Sequence, residues 1–283
     1  MDQDTTSKPL LETLDPEIGA RLAQREAEIA HGASVARATA AGLAMASVPV
    51  ALAALARDVF AQGGLPANIV SILNFALMHE YMETTLYNYG LSQHFAIVPA
   101  QDLPIFQTIQ AHENLHQQYL LATLGSQAVR EPFFDWSGGG GTYNGPYHEA
   151  FYNYDEWKAL AQSFEDLGVR IYKGQIPALM GTQPLLLAAL QIHSVEARHA
   201  CEVRRLRGKF LDQAPNRGWI TGNQTDISLT SAFYAGEQNT VQDGIDITSL
   251  DFSFSTNDAS EAFDEPMTMQ EVQAALVPFT FPV

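Results

Sequence analysis

Hydrophobic residues recur with a helical period in four long segments, which cover residues 66–89, 102–124, 154–173 and 182–207. Apolar residues three and four positions apart line one side of an α-helix, so each segment predicts a helix with a buried face. Glycine follows each segment and favours a helix end there, at Gly90, Gly125, Gly174 and Gly208. Asp102 and Thr182 each precede a proline by two positions, which predicts that they cap the second and fourth helices. Short connections predict two antiparallel helix pairs, joined by a longer crossover at residues 126–153.

The flanking regions have a different pattern and suggest three parts: residues 1–62, 63–208 and 209–283. Residues 1–62 predict an N-terminal helical extension, in which residues 38–56 form an uncharged, alanine-rich run. That run predicts a retained buried or interface helix, with an export signal as the alternative; Pro49 interrupts it, and no stable membrane span is expected. The last part alternates apolar and polar residues at 227–254, which predicts an irregular, partly β tail that covers the bundle.

The charge and the cysteine content limit which partners and which kinds of metal site are possible. The chain has 32 acidic and 15 basic residues, a net charge of -17, which argues against a nucleic-acid partner. Cys201 is the only cysteine, so neither an intramolecular disulfide nor a cysteine-rich zinc site can form. A metal site would have to use carboxylates and imidazoles, which suit iron or manganese.

Two of the predicted helices contain the pattern Glu-x-x-His. Glu113 and His116 lie in the second helix, and Glu196 and His199 lie in the fourth. The same spacing occurs once more in the polar N-terminal region, so spacing alone is weak evidence. The two helical pairs differ because their surroundings are strongly apolar, and buried charges are costly unless they are paired or bind metal.

The other two helices each offer one carboxylate in a similar setting. Glu80 and Glu165 are each followed seven residues later by a tyrosine, Tyr87 and Tyr172, so the two halves of the bundle resemble each other. One Glu from each of two helices and Glu-x-x-His from the other two is a recurring dinuclear metal site. The predicted ligands are therefore Glu80, Glu113, His116, Glu165, Glu196 and His199. We assign Glu113 and Glu196 as bridging and Glu80 and Glu165 as terminal, and the reverse assignment stays open.

Several neighbouring residues have two interpretations. Glu83 is either an extra ligand or an alternative to Glu80, and His193 either orients a carboxylate or simply packs. Tyr87 and Tyr172 either hydrogen-bond a ligand or donate an electron, or they fill the bundle as ordinary core residues. His79 and His112 adjoin ligands in sequence but point about 100° away on a helix, so we exclude them.

The most specific phrases are Gln-Ala-His-Glu-Asn-Leu-His, which begins at Gln110, and Val-Glu-Ala-Arg-His, which begins at Val195. With their surroundings, at residues 74–89, 109–125, 164–174 and 189–208, they resemble the ferritin-like domain of desiccation-related and similar stress proteins. Similar patterns occur in bacterioferritins, rubrerythrins and manganese catalases. The resemblance implies an all-α, ferritin-like four-helix bundle with a di-iron or di-manganese centre that meets O2 or H2O2. Members often carry an export signal with paired arginines, and no such pair occurs near the start of this sequence, which favours a cytoplasmic location over export to the periplasm.

These observations lead to two hypotheses for function. In the first, two iron or two manganese ions per chain react with O2 or H2O2, in a stress or metal-handling role as a ferroxidase, peroxidase or catalase-like oxidoreductase. In the second, the bundle is a non-catalytic protective scaffold in which metal is structural or absent. Self-association is left open in both.

Overall fold

The computed structural model describes residues 64–208 and 217–282, so the predicted N-terminal extension, including the alanine-rich run, lies outside the described residues. Four long helices form the core: α1 (Ala67–Gly90), α2 (Leu103–Leu124), α3 (Tyr154–Leu179) and α4 (Gln183–Arg207). The prediction of an all-α core built on four helices is confirmed. In the part of the chain that is described, no helix is long and apolar enough to cross a membrane.

Helix α3 lies at the centre of the described residues. Every residue from 157 to 172 is buried, so this helix is covered on all sides. It packs against α1 and α4, while α2 packs on α1. Trp157 joins α3 to α1, since its indole N–H donates a hydrogen bond to the Leu86 carbonyl at 3.1 Å. Glu165 and Asp166, the two carboxylates in this stretch, are therefore shielded from solvent.

One predicted helix end is wrong. We expected α3 to end at Gly174, but the helix continues to Leu179. A Cβ atom on Gly174 would overlap the carbonyl oxygen of Met267, which belongs to the tail. Glycine is therefore required at this position for close backbone approach rather than for a turn. Gly208 does end α4 in a left-handed conformation, with φ of 59°, as predicted.

Asp102 and Thr182 occupy the predicted N-cap positions of α2 and α4, but neither side chain makes the expected capping hydrogen bond. The Asp102 carboxylate accepts a hydrogen bond from the Tyr154 hydroxyl at 2.6 Å, which ties the start of α2 to the start of α3. The Thr182 hydroxyl donates to the Leu179 carbonyl at 2.5 Å. Asn153 provides the cap that was not predicted, because its side chain accepts from the first backbone N–H groups of α3.

The C-terminal tail contains less β-structure than the alternating pattern suggested. A two-stranded antiparallel hairpin, β1 (Val241–Gln242) and β2 (Ile245–Asp246), confirms a partly β tail. The preceding segment Ser228–Tyr234 is a 3₁₀ helix, where a strand was expected. Two short helices follow, α5 (Thr256–Glu261) and α6 (Met269–Ala275), and each begins with a capping box.

Arg170 fastens the tail to α3. Its buried guanidinium donates to the Glu265 and Ala235 carbonyls at 2.7 and 2.6 Å and to the Phe233 carbonyl, and it pairs with Glu237 at 2.7 Å. Buried charges need this degree of pairing to be tolerated. The tail is therefore an integral layer on the outer face of α3.

The crossover between α2 and α3 is organised by Asp135. This buried carboxylate accepts hydrogen bonds from the backbone N–H groups of Ser137, Gly141 and Tyr143 at 3.1, 2.8 and 2.9 Å. Burial alone would raise the pKa of Asp135, but a hydrogen bond from the Ser137 hydroxyl and these backbone bonds outweigh it and hold the pKa below its usual value. The glycine-rich part of the crossover thus folds around one ionised side chain.

Candidate metal centre

The four helices bring all six predicted ligand residues together near the middle of the bundle. Glu80 comes from α1, Glu113 and His116 from α2, Glu165 from α3, and Glu196 and His199 from α4. All four carboxylates are completely buried, and the two imidazoles are buried as well. Isolated carboxylates would be very costly in such a position, so the cluster requires compensating positive charge.

The six residues form two overlapping groups, each with ligand atoms within 4.8 Å of one another. One group contains Glu80 and His116, and the other contains Glu165 and His199. Glu113 and Glu196 belong to both groups. This arrangement can hold metal ions within the bundle.

Each imidazole faces several carboxylates through its Nδ1 atom. The Nδ1 atom of His116 lies 3.0 Å from both Glu113 and Glu196 and 3.5 Å from Glu80. The Nδ1 atom of His199 lies 2.6 Å from Glu113, 3.3 Å from Glu165 and 3.9 Å from Glu196. The two halves of the site are thus related by an approximate two-fold axis, as the sequence repeat suggested.

Many of these close contacts lack hydrogen-bond geometry. Buried atoms without a hydrogen-bond partner include one oxygen each of Glu80, Glu113 and Glu165, both oxygens of Glu196, and Nδ1 of His199. Most buried polar atoms in proteins are satisfied, so a cluster of polar atoms without hydrogen-bond partners needs an explanation. These atoms lie close together without forming hydrogen bonds to one another, which is the arrangement expected of ligand atoms around a cation. The residues present therefore fit the binding of metal ions.

Without metal, the cluster would retain protons. Burial raises the pKa of Glu80, Glu165 and Glu196, and the neighbouring Glu113 charge adds to this effect. Burial would lower the pKa of the histidines, but the surrounding carboxylates outweigh it; they raise the pKa of His199 to about 11 and that of His116 well above its usual value. The Glu113 carboxylate has a lowered pKa despite burial, because it contacts both imidazoles.

The two predicted neighbouring tyrosines contact the cluster in a crossed arrangement. The Tyr87 hydroxyl on α1 donates to Glu165 on α3, and the Tyr172 hydroxyl on α3 donates to Glu80 on α1. Each phenol therefore contacts a predicted ligand that lies on a different helix from its own. Burial raises the pKa of both phenols well above the usual value, and the nearby carboxylates reinforce this, so both remain protonated donors.

A second layer of polar residues adjoins Glu196. Glu83 is completely buried, and one of its oxygens lies 3.0 Å from Nε2 of His79. Gly168 of α3 packs against these side chains, and a larger residue would not fit there. A Cβ at this position would lie 2.9 Å from His79, 3.2 Å from Glu196 and 3.3 Å from Glu83. His79, which we had excluded, is therefore beside the cluster; a buried polar residue in an otherwise apolar stretch was the available signal.

His112, which we excluded as a ligand, belongs to neither ligand group but contacts a predicted ligand directly. Its Nδ1 atom lies 2.9 Å from Nε2 of His199. If Nδ1 of His199 held a metal ion, Nε2 would carry the ring proton and could donate a hydrogen bond to His112, which would fix the orientation of the ring. Helical spacing did not predict this contact, because His112 reaches a ligand of the neighbouring helix α4 rather than the site itself.

His193 does not orient a carboxylate through its observed hydrogen bond. Its Nδ1 atom is 3.0 Å from the Val169 carbonyl oxygen, so this residue links α4 to the backbone of α3. Burial lowers the pKa of His193. The packing interpretation therefore describes this residue better than the orienting one.

Comparison with known proteins gives one match. A family model described as a ferritin-like domain matches residues 68–209, which is about half of the chain and spans nearly all of the four long helices. Searches of curated proteins and of solved structures found no match. Since the match covers the whole segment that carries the buried Glu and His cluster, the chain belongs to the ferritin-like domain family.

Proposed function

We propose that this protein holds two metal ions in the buried cluster and uses them to react with O2 or H2O2. The observation that carries the proposal is the pair of overlapping ligand groups that share Glu113 and Glu196. Two divalent ions carry four positive charges, which the four carboxylates would balance. A neutral assembly of this kind would remove the cost of burying those carboxylates in the bundle.

The geometry suggests a role for each ligand. Glu80 and His116 would bind one ion, and Glu165 and His199 would bind the other. Glu113 and Glu196 would bridge, because only these two residues belong to both groups. Glu83 lies outside both groups and is better suited to a supporting role than to replacing Glu80.

The donor set favours iron or manganese. It consists of carboxylate oxygens and one imidazole nitrogen for each ion, with no thiolate, and such hard ligands suit these metals. When bound, a redox-active pair of ions supplies two electrons for the reduction of O2 or H2O2. Complete burial of the carboxylates keeps bulk water from competing for them.

The surrounding residues would prepare the ligands for binding. Tyr87 and Tyr172 hold Glu165 and Glu80 through hydrogen bonds, which limits the orientations of these two carboxylates. Because His116 and His199 have raised pKa values without metal, both must lose a proton before Nδ1 can bind an ion. Metal loading should therefore release protons into solution.

A stress-related role is part of the proposal. The resemblance to desiccation-related proteins supports it, since removal of peroxide or oxidation of free ferrous ions would limit oxidative damage during stress. Two terminal regions beyond the bundle, residues 1–62 and 209–283, would distinguish this protein from a minimal four-helix domain.

The test is elemental analysis of the purified full chain, combined with an O2 and H2O2 consumption assay on the same sample. We expect about two iron or manganese ions per chain, with activity that is lost on chelation and restored by the same metal. A protein that stays metal-free after anaerobic addition of Fe(II) or Mn(II) would refute the metal centre. A loaded protein that consumes neither oxidant would instead support a structural metal in a protective scaffold.

A further inference from the structure

A second cavity lies away from the metal centre, between the C-terminal end of α1 and the crossover to α3. Its volume is about 560 Å³, and eight of its thirteen lining residues are Phe, Tyr or Trp. Small-molecule sites are typically cavities of about 300–1,000 Å³ with mainly aromatic and apolar walls. The size and lining of this cavity are therefore those of a binding site for a small organic molecule.

The aromatic wall is already assembled. The ring of Phe151 lies 5.4 Å from that of Tyr89, 5.3 Å from that of Phe95 and 6.2 Å from that of Trp136, measured between centroids. Such spacings are typical of favourable ring pairs, which hold one another in position. Binding of a ligand would therefore lose little conformational entropy, because the rings are already ordered.

Part of this wall faces solvent at an energetic cost. Phe133 is 85% exposed and Tyr143 is 60% exposed, and both line the cavity. Large exposed aromatic patches are uncommon on soluble proteins and usually mark a site of interaction. The backbone that carries Tyr143 is fixed, because its N–H donates a hydrogen bond to Asp135 at 2.9 Å.

The charges around the cavity favour a ligand with a positive charge. Among the described residues that line it, Glu131 is the only carboxylate and there is no Lys or Arg. The Thr85 hydroxyl donates to Glu131 at 2.7 Å and so orients the carboxylate. Aromatic faces attract cations, and the net charge of -17 repels anions.

We propose that this cavity binds an organic cation, with an alkylated ammonium group against the aromatic rings and Glu131 as its counter-charge. The rings supply both apolar contact and electrostatic attraction to a cation, whereas a neutral ligand would gain only the apolar contact. The proposal does not depend on the metal centre, since none of the six metal-site residues lines the cavity.

The first experiment compares two probes of the same shape on the full chain by ligand-observed NMR titration. One probe is choline, and the other is its uncharged analogue in which a tert-butyl group replaces the trimethylammonium group. We expect saturable choline binding and an affinity at least about ten-fold weaker for the analogue. Equal affinities would show a merely apolar cavity, and an absence of saturable choline binding would also overturn the proposal.

Two variants locate the binding site. Phe133→Ala and Glu131→Gln should each weaken choline binding about two- to five-fold, and Glu131→Gln should leave the uncharged analogue unaffected. Phe252→Ala is the matched control, because this fully exposed phenylalanine lies in the tail and does not line the cavity. Since Phe133 is also exposed, its removal should leave the melting temperature unchanged. Choline binding that is unaffected by both cavity variants, or weakened equally by Phe252→Ala, would overturn the assignment.

Discussion

The shared and unshared carboxylates of the proposed metal centre should respond differently to substitution. Glu113 belongs to both ligand groups, whereas Glu80 belongs to one. Glu113→Gln and Glu80→Gln each keep the shape of the side chain and remove one negative charge. The difference between them therefore reports on bridging rather than on packing.

The expected size of the effect follows from these contacts. Glu113 approaches Nδ1 of His116 at 3.0 Å and Nδ1 of His199 at 2.6 Å, so it is adjacent to the nitrogen donors of both ions. Loss of a group that merely orients a ligand costs about 10- to 100-fold in metal affinity. Loss of a ligand should exceed this, which corresponds to more than about 2.7 kcal/mol per ion. Glu113→Gln should thus weaken both ions, and Glu80→Gln only one.

The assay is metal content per chain after anaerobic loading and removal of loosely bound metal. We expect about two ions in the unmodified protein, about one in Glu80→Gln and fewer than one in Glu113→Gln. Glu202→Gln is the control, since this residue lies on α4 with Glu196 but pairs with Arg205 at 3.8 Å on the surface. Equal metal content in Glu80→Gln and Glu113→Gln would refute the bridging assignment, and a loss in the control would refute the site.

Three further predictions concern stability. His116 and His199 have a higher pKa in the folded than in the unfolded state, so their protonation stabilises the metal-free protein fully below about pH 6.5. This stabilisation is lost as the pH rises towards the pKa of the folded state. Denaturant titration should therefore give a lower free energy of unfolding at about pH 9 than at about pH 6. A value that stays constant or rises would contradict the buried imidazolium ions. Tyr87→Phe and Tyr172→Phe should each lower the free energy of unfolding of the metal-free protein by about 1–3 kcal/mol, because each leaves a buried carboxylate without its donor; an effect in only one of them would disprove the equivalence of the two halves. Gly174→Ala should destabilise the protein by about 1–3 kcal/mol, because the Met267 backbone occupies the position that the new Cβ would take. Alanine favours helices more than glycine does, so a raised melting temperature would refute the close approach of the tail.

The sequence predicted the four helices because each has a long apolar period that only a buried helix face satisfies. The ends were less predictable, because a glycine such as Gly174 can serve either a turn or a close contact, and the contacting residue, Met267, is far away in sequence. The tail was predicted poorly for a related reason. Its segments are short, and local caps such as Ser255 and Thr268 decide their structure more than periodicity does.

The clustering of the six central residues could be predicted from sequence because Glu-x-x-His and a matching Glu each occur on two of the four helices. Residues around them could not be assigned as well. The contact between His112 and His199 depends on the relative position of α2 and α4, and the crossed partners of Tyr87 and Tyr172 depend on that of α1 and α3. Helical spacing describes one helix at a time, so it contains no information on such contacts.

The crossed tyrosine bonds divide the four carboxylates into two kinds. Glu80 and Glu165 are each held by a phenol on the opposite helix, and Glu113 touches both imidazoles. Glu196 lies 3.0 Å from Nδ1 of His116, but neither of its oxygens makes a hydrogen bond of good geometry, and Gly168 keeps the α3 backbone beside it free of a side chain. The orientation of Glu196 would therefore depend most on a bound ion, whereas the other three carboxylates are already positioned by the protein.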